Sequence, residues 1–576
     1  MRYLALATDY DGTLAADGRV DGNTLDALRR LRDSGRRLVL VTGRRLEELL
    51  EVFPHAELFD WVVAENGALL YEPSTKQETS LGSPPPQEFL DLLEQRNVPV
   101  ATGRVIAATW EPHETTVLEA IKQLGLELQV IFNKGAVMVL PQGLNKATGL
   151  RAALGKMGLS PHNVVGVGDA ENDHAFLTLC ECSVAVGNAL EMLKRTATIV
   201  TSGERGDGVV EVVERLLSTD LEEVADDLAR RKVLLGHRDD GSEVRLDPYS
   251  TNMLVAGSSG AGKSTIVAGL LERLAADGYQ FCLIDPEGDY LVMPGAVRLG
   301  DQDHKASYSE IEQVLANPDQ SVIVNLLGLR LQDRPAFFQG LLTRLIELRA
   351  ASGRPHWLVV DEAHHLMPES LETTGAILPR EFVGLLLITV HPNLISRAAA
   401  GLVSAALAAG ESPSDTLEGF AAAAGLEKPK TPAISLETGK VLAWFPALGA
   451  PFVVGIEPPA TEHNRHHRKY AEGTLAEDAS FYFRGPEGKL NLKAVNLVRF
   501  VEIAEGVDDD TWLHHLRAGD YSRWFRESIK DPELAAEAEA VESDESLEAR
   551  ASRERLAKAV EARYTVPDGS PSGSLR

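Results

Sequence analysis

Apolar, β-branched runs that break off in a carboxylate, a hydroxyl or a glycine constrain residues 1–217 more tightly than any bulk property does. In LALATDYDGTLAADGRV the run stops at Asp9 and Asp11, two positions apart and just before a glycine. RRLVLVTGR stops at Thr42 and Arg44, and NVVGVGDAENDHAF stops at Asp169, with Asn172 and Asp173 behind it. WVVAENG and CSVAVGN have the same form, and helical patterns such as NTLDALRRLRDSG separate them. This alternation predicts βα units on a parallel sheet, and such a sheet gathers the carboxyl ends of its strands on one edge. That edge is where open α/β sheets build their sites. Lys146, in GLNKATGL, is expected there too. A solitary DxD is as much a turn or a calcium loop as a reaction centre; the company of the other segments decides for the latter.

In order along the chain, DxDGT, TGR, a lone lysine and GDxxND resemble the signature of the haloacid dehalogenase superfamily, and within it the Cof-type or sucrose-phosphatase-like branch. The resemblance spans residues 1–217 and implies an α/β fold: a Rossmann-like parallel-sheet phosphatase core with an inserted α+β cap. The cap is expected at residues 80–141, read as strand (RVIAATWEP), helix (ETTVLEAIKQLG) and strand (LELQVIF), joined to the core by LGSPPPQ. The chemistry suits the residue types. Asp9 would attack phosphorus and form an aspartyl-phosphate, splitting one hard hydrolysis into two displacements. Asp11 would protonate the leaving alkoxide and then activate water. Thr42 and Lys146 would hold the phosphoryl oxygens. Magnesium, a hard cation, suits Asp9, the backbone carbonyl of Asp11, Asp169 and Asp173, with Asn172 in support. The implied activity is phosphomonoester hydrolysis, and by resemblance alone the cap suits a small phosphorylated sugar or polyol. Arg44, Arg104, His113, Asn133 and Lys134 are candidate contacts to that substrate, each weighed against an ordinary solvated side chain.

A second phosphate-handling signature lies further on. GSSGAGKS, comprising Gly257, Ser258, Ser259, Gly260, Ala261, Gly262, Lys263 and Ser264, falls between the strand-like NMLVAG and the helical TIVAGLLERLAADG that opens at Thr265. In that context backbone N–H groups and a helix N-terminus cradle the phosphates of ATP, Lys263 reaches the terminal ones and Ser264 ligates magnesium. WLVVDEAHHL places Asp361 after a strand, suited to the magnesium shell, with Glu362 beside it to activate water. With LIDPEGDY and VGLLLITVHP, these segments resemble the HerA and FtsK superfamily of ring-forming ATPases over residues 228–460. That resemblance implies a P-loop NTPase α/β domain and a possible ring of copies of this chain. Arg380, in REFVG, stands where such rings offer an arginine to a neighbour's nucleotide, a surface salt bridge being the alternative. His391 stands where the family usually has a glutamine. The DEAH pattern accounts for His364, and His365 is expected to pack within its helix.

Between the two regions STDLEEVADDLARRK reads as one charged helix, which holds the first boundary. After Pro459 comes TEHNRHHRKY, whose His463, His466 and His467 have loose metal spacing but no carboxylate or cysteine companion. Residues 461–530 read as a small helical C-terminal module with Trp512, His514, His515, Tyr521, Trp524 and Phe525 in its core, or on a partner surface. Residues 531–576 read as an exposed acidic helix that fades into disorder. No internal repeat is evident.

Composition then limits the partners. The 576 residues exceed one hydrophobic core, and 85 acidic against 57 basic side chains give a net charge of -28. That balance opposes attraction to nucleic acid or anionic membrane. Three cysteines, Cys180, Cys182 and Cys282, cannot build a disulfide framework and are expected to be buried thiols. No secretory leader and no apolar span of bilayer length is apparent, so a soluble cytoplasmic protein is expected. The expected partners are a small phosphorylated metabolite and ATP. The competing reading is a hexameric DNA translocase whose phosphatase domain processes nucleic-acid or nucleotide ends. A third is a scaffold in which bound nucleotide gates the phosphatase.

Overall fold

The computed structural model describes residues 2–576 apart from 134, 228–231, 259, 291–292, 369–378, 380–381, 432–433, 461–479, 489, 530, 545 and 565–576. Lys134, Ser259, Arg380, His463, His466 and His467 therefore lie outside the described residues. No described helix is long and apolar enough to cross a membrane. All three cysteines are buried and free.

The first domain is built on an eight-stranded sheet. Its strands are β1 (Ala5–Thr8), β2 (Arg37–Val41), β3 (Trp61–Ala64), β4 (Leu69–Glu72), β5 (Gln77–Ser80), β10 (Val164–Gly168), β11 (Cys182–Ala185) and β12 (Ile199–Val200). The order is β12-β11-β10-β1-β2-β3-β4-β5. The six strands from β12 to β3 are parallel, and β4 and β5 add an antiparallel hairpin at one edge. Both faces of β1 and β10 are buried, which is why ALAT and VVGVG read as unbroken apolar or small runs rather than alternating ones.

The cap is richer than the expected strand, helix and strand. It is an antiparallel sheet ordered β6-β7-β9-β8, from β6 (Ala101–Thr102), β7 (Ala107–Trp110), β8 (Leu128–Asn133) and β9 (Ala136–Pro141). Two helices, Gln87–Gln95 and Glu114–Leu124, cover one face, where Phe89, Leu93, Val117 and Ala120 meet Val137 and Val139. The other face puts Val105, Ile106, Met138 and Leu140 against Ala68 of the core domain.

An eleven-stranded sheet forms the second domain. Its strands are β13 (Val233–His237), β14 (Glu243–Leu246), β15 (Met253–Gly257), β16 (Phe281–Asp285), β17 (Ala296–Leu299), β18 (Ser321–Asn325), β19 (Trp357–Val360), β20 (Leu385–Thr389), β21 (Ala405–Ala409), β22 (Lys440–Trp444) and β23 (Phe452–Ile456). The order is β14-β13-β23-β22-β21-β15-β20-β19-β16-β18-β17, and the seven strands from β21 to β17 are parallel. The hairpin expected in GKVLAWFPALGAPFVVGIEPP is β22 paired antiparallel with β23.

Apart from Ser259–Thr265 and Asp289–Leu291, these two domains fall in one compact unit, and within it they meet at a polar seam. His162 sets Nδ1 2.7 Å from Glu181 Oε2 and Nε2 2.7 Å from the Asp277 carbonyl, and its ring stacks on Tyr279 with centroids 3.9 Å apart. Arg2 donates to Glu181 at 2.7 Å and lies over the Tyr249 ring. Tyr249 donates its hydroxyl to the His162 carbonyl, and Arg354 donates to Gly158 O at 2.5 Å and Gln280 Oε1 at 3.0 Å. Among the described residues of the boundary segment, the expected charged helix is broken after Thr219. The helix Arg205–Thr219 stops at Asp220, whose backbone is left-handed, and a short 3-10 helix, Glu222–Asp227, follows.

The C-terminal module pairs a hairpin, β24 (Phe481–Phe483) with β25 (Leu492–Ala494), with helices at Leu497–Gly506, Asp509–Ala518, Asp520–Trp524, Pro532–Glu542 and Ala549–Tyr564. Trp512, His515, Tyr521, Trp524 and Phe525 are buried in its core as expected, whereas His514 is exposed. The acidic segment after 531 departs from expectation. Leu534, Ala535, Ala538, Leu556 and Val560 are buried in the same core as Trp512, so both terminal helices are packed elements rather than exposed ones. Alanines at Ala535 and Ala538 supply a narrow apolar face that glutamates on the remaining positions conceal from a reading of composition.

Candidate functional site

The carboxyl ends of β1, β2, β3 and β10 assemble the first site. Asp9 follows β1 and is almost wholly buried; Lys146 opens the helix Lys146–Met157, which Asn145 caps through its side chain on the backbone N–H groups of Ala147 and Thr148. The Lys146 ammonium bridges Asp9 Oδ1 at 2.6 Å and Asp173 Oδ1 at 2.5 Å. Asp173 also accepts the backbone N–H groups of Asp169 and Ala170 on its other oxygen, at 2.9 Å each. Thr13 donates its hydroxyl to Asp169 at 3.2 Å. One carboxylate oxygen each from Asp9, Asp169 and Asp173 lie within 4.8 Å of one another.

Burial first, and then the Asp173 charge, push the Asp9 carboxyl well above the usual carboxylate range, although Lys146 pulls the other way. Burial works to lower the lysine, but Asp173 and Asp9 outweigh it, so the ammonium keeps its proton. Three buried carboxylates thus cluster where one ammonium pairs with two of them, an excess of hard oxygen donors. That donor set fits a divalent magnesium ion.

Thr42 follows β2, is buried, and accepts the Arg44 backbone N–H on Oγ1 at 3.1 Å. Asp11 is not part of the carboxylate cluster: its side chain is gripped by the Arg44 guanidinium through two hydrogen bonds of 2.6 and 2.7 Å, and Arg44 is tied in turn to Glu48. Asn172 donates to Asn66 Oδ1 at 3.1 Å. Arg104, a candidate substrate contact, is exposed and paired with Glu47 and Glu78. His113 precedes the cap helix Glu114–Leu124.

Residues that the sequence left unassigned complete the ring. Asn188 donates to the Gly12 carbonyl and accepts the Arg205 backbone N–H. The turn after β3 runs through Glu65, Asn66 and Gly67 with φ of 52°, 54° and 100°. Gly67 is obligatory, because a Cβ there would stand 1.9 Å from the Asn145 carbonyl oxygen, next to Lys146. The signal for this turn was present in WVVAENG, which breaks off like the other strand ends.

In the second domain Gly257 ends β15, a Cβ on it would stand 2.1 Å from the Ala409 carbonyl oxygen, and Gly260 and Gly262 have positive φ. Lys263, Ser264 and Thr265 begin the helix Lys263–Ala276. Asp361 is buried beyond β19, and β20 lies between that strand and β15. Glu362 has a left-handed backbone with φ of 46° and receives His364 Nδ1 at 3.4 Å from Oε2. The same nitrogen is 3.0 Å from Thr389 Oγ1, which also accepts the His391 backbone N–H. His364 is the buried histidine of the pair; His365 is exposed, contrary to expectation, because its helix is only Ala363–Leu366.

The profile of the haloacid dehalogenase-like hydrolases matches residues 6–115 and 113–213, and an AAA ATPase domain profile matches residues 243–388. A phosphoglycolate phosphatase of Methanothermobacter thermautotrophicus is 30% identical over 220 residues, an alignment covering 37% of this chain and 98% of that protein. The phosphoglycolate phosphatase of Pyrobaculum neutrophilum is 32% identical over 227 residues, covering 37% and 95%. A solved haloacid dehalogenase-like hydrolase from Bacteroides thetaiotaomicron is 19% identical with a TM-score of 0.33, covering 37% of this chain and 99% of that one. The chain belongs, through its first domain, to the haloacid dehalogenase-like hydrolases. It is a phosphatase that also carries an AAA ATPase domain.

Proposed function

We propose that residues 1–217 hydrolyse the phosphomonoester of a small phosphorylated metabolite, with magnesium, through an aspartyl-phosphate on Asp9. The observation that carries this reading is the buried Lys146 ammonium held between Asp9 and Asp173 beside Asp169. A carboxylate so placed keeps one oxygen fixed by the lysine while the other is presented for attack. Attack forms the Asp9–phosphorus bond as the bond to the leaving oxygen breaks, and Asp11 gives that oxygen its proton. Asp11 then takes a proton from the water that opens the acyl phosphate. Thr42 and Lys146 hold the phosphoryl oxygens throughout. Asp9, Asp169, Asp173 and the Asp11 carbonyl would hold magnesium, which supplies neutralisation of phosphoryl charge when bound. The relatives' substrate, phosphoglycolate, is a small phosphorylated acid, and sugar and polyol phosphates are of similar size.

The second domain, proposed as residues 228–460, would bind and hydrolyse ATP in the manner of the HerA and FtsK ATPases. Gly257–Thr265 would cradle the phosphates, Ser264 and Asp361 would serve magnesium, Glu362 would orient water, and Arg380 would complete a neighbour's site. Residues 461–530, with the two packed helices that follow, would form the third domain.

The test is a panel of phosphorylated acids, sugars, polyols and nucleotides assayed with magnesium on the wild type and on Asp9→Asn. Turnover of at least one small phosphomonoester by the wild type, with loss of about 10³-fold or more in Asp9→Asn and ATP hydrolysis unchanged, is expected. Undiminished turnover by Asp9→Asn would reject the covalent route.

A further inference from the structure

Glu65 is fully buried, yet among the described residues its carboxylate makes no salt bridge, and the Arg104 guanidinium acts on it only at longer range. Its carboxylate instead accepts three consecutive backbone N–H groups of the cap: Oε1 takes Arg104 at 2.7 Å, and Oε2 takes Val105 at 2.8 Å and Ile106 at 3.0 Å. Successive N–H groups converging on one anion make a backbone nest, and charge-assisted bonds of this kind compensate the desolvation that burial imposes. The nest belongs to the turn Gly103–Ile106, closed by the Gly103 N–H on the Ile106 carbonyl at 2.8 Å, between β6 and β7. The carboxylate itself stands on the catalytic core. The Glu65 N–H donates to the Arg44 carbonyl and the Asn66 N–H to the Thr42 carbonyl, while the Asn66 side chain accepts from Asn172.

We infer that Glu65 is a positioning residue that docks the cap over the Asp9 site, registering the cap's substrate-facing side to the loops of Thr42, Arg44 and Asn172. Two consecutive non-glycine residues in the left-handed region are a costly way to end a strand, and such strain persists where the surroundings over-determine it. Here the left-handed backbone turns the Glu65 side chain out of the sheet edge and into the nest. Gly103 is the complementary half. A Cβ on it would stand 2.3 Å from Glu65 Oε1 and 2.5 Å from its carboxyl carbon. Because that carboxylate is pinned by three hydrogen bonds, it cannot swing aside without releasing the turn. The inference rests on the phosphatase reading for its kinetic arm only.

The experiment uses the full chain as wild type, Glu65→Gln, Glu65→Ala, Gly103→Ala and the double variant Glu65→Ala/Gly103→Ala. Hydrogen exchange at the amides of Arg104, Val105 and Ile106 is measured together with hydrolysis of p-nitrophenyl phosphate. Glu65→Ala and Gly103→Ala should each speed exchange at those amides by about tenfold or more, with the β10 and β11 amides unchanged. KM should rise by about fivefold while kcat stays within about threefold, because the Asp9–Lys146 pair is untouched. Glu65→Gln, which keeps the shape and loses one acceptor, should fall between. The double variant should be no worse than Glu65→Ala, since the added methyl then meets empty space. Additive losses, or unchanged exchange at the three amides in both single variants, would overturn the inference. A wild type inert toward every phosphomonoester would sink the phosphatase reading and leave the exchange result standing on its own.

Discussion

Lys146 pairs with Asp9 and Asp173 while Asp169 stands beside them, and that excess of carboxylate makes the site's affinity for magnesium depend on pH. Without metal, burial and the Asp173 charge raise the Asp9 carboxyl, so a proton competes with the cation for the same oxygen. The sign is fixed by that direction. A carboxylate raised in the folded state lowers folded-state stability as pH climbs from its unfolded pKa toward its folded one, and bound magnesium reverses the effect. Magnesium affinity, measured by calorimetry in two buffers of different ionisation enthalpy, should therefore increase from mildly acidic to mildly alkaline pH, with proton release on binding. No proton release at any pH would contradict a raised Asp9.

At the scale of elements, residues that break off an apolar run were legible and faces hidden among like residues were not. Asp9, Thr42, Asp169 and Gly257 each end a strand, and the βα alternation placed them on one edge in each sheet. Glu65 ends β3 in the same way, yet its role depends on three backbone N–H groups some forty positions away, which no local pattern carries. The ion pairs of Arg104 were hidden from the sequence for a related reason. Its side chain has Glu47 and Glu78 within reach only because the cap folds back toward them. The helix Ala549–Tyr564 hides its buried side behind arginines and glutamates, and only the packing of Leu556 and Val560 under Trp512 reveals it. Ser552 confirms the fit by accepting the Trp512 indole N–H at 2.9 Å. Leu556→Ala should cost the module about 2–5 kcal/mol, read as a lower urea midpoint in Trp512 fluorescence. An exposed terminal helix would lose almost nothing by the same change.

At the largest scale, the seam at His162 joins two domains that the sequence presents as separate machines. The helix Lys263–Ala276 begins at the P-loop lysine, and just past its far end the Asp277 carbonyl meets His162. The helix Lys146–Met157 begins at the phosphatase lysine, and at its far end the Gly158 carbonyl meets Arg354. Arg354 is buried, and burial lowers its guanidinium to about 10, so its carbonyl and amide acceptors matter. Removing it with Arg354→Ala should lower the melting temperatures of phosphatase and ATPase activity together, by several degrees for each kcal/mol lost. Heat inactivation of the two activities along unrelated curves would show that the seam is not a cooperative contact. If they do melt as one, each domain's ligand becomes a preservative for the other. A nucleotide held at about a hundred times its dissociation constant adds about 2.7 kcal/mol to the folded state by mass action. The phosphatase would then outlast heating in the presence of a molecule it never touches, so its working lifetime in a warm cell would track the nucleotide supply.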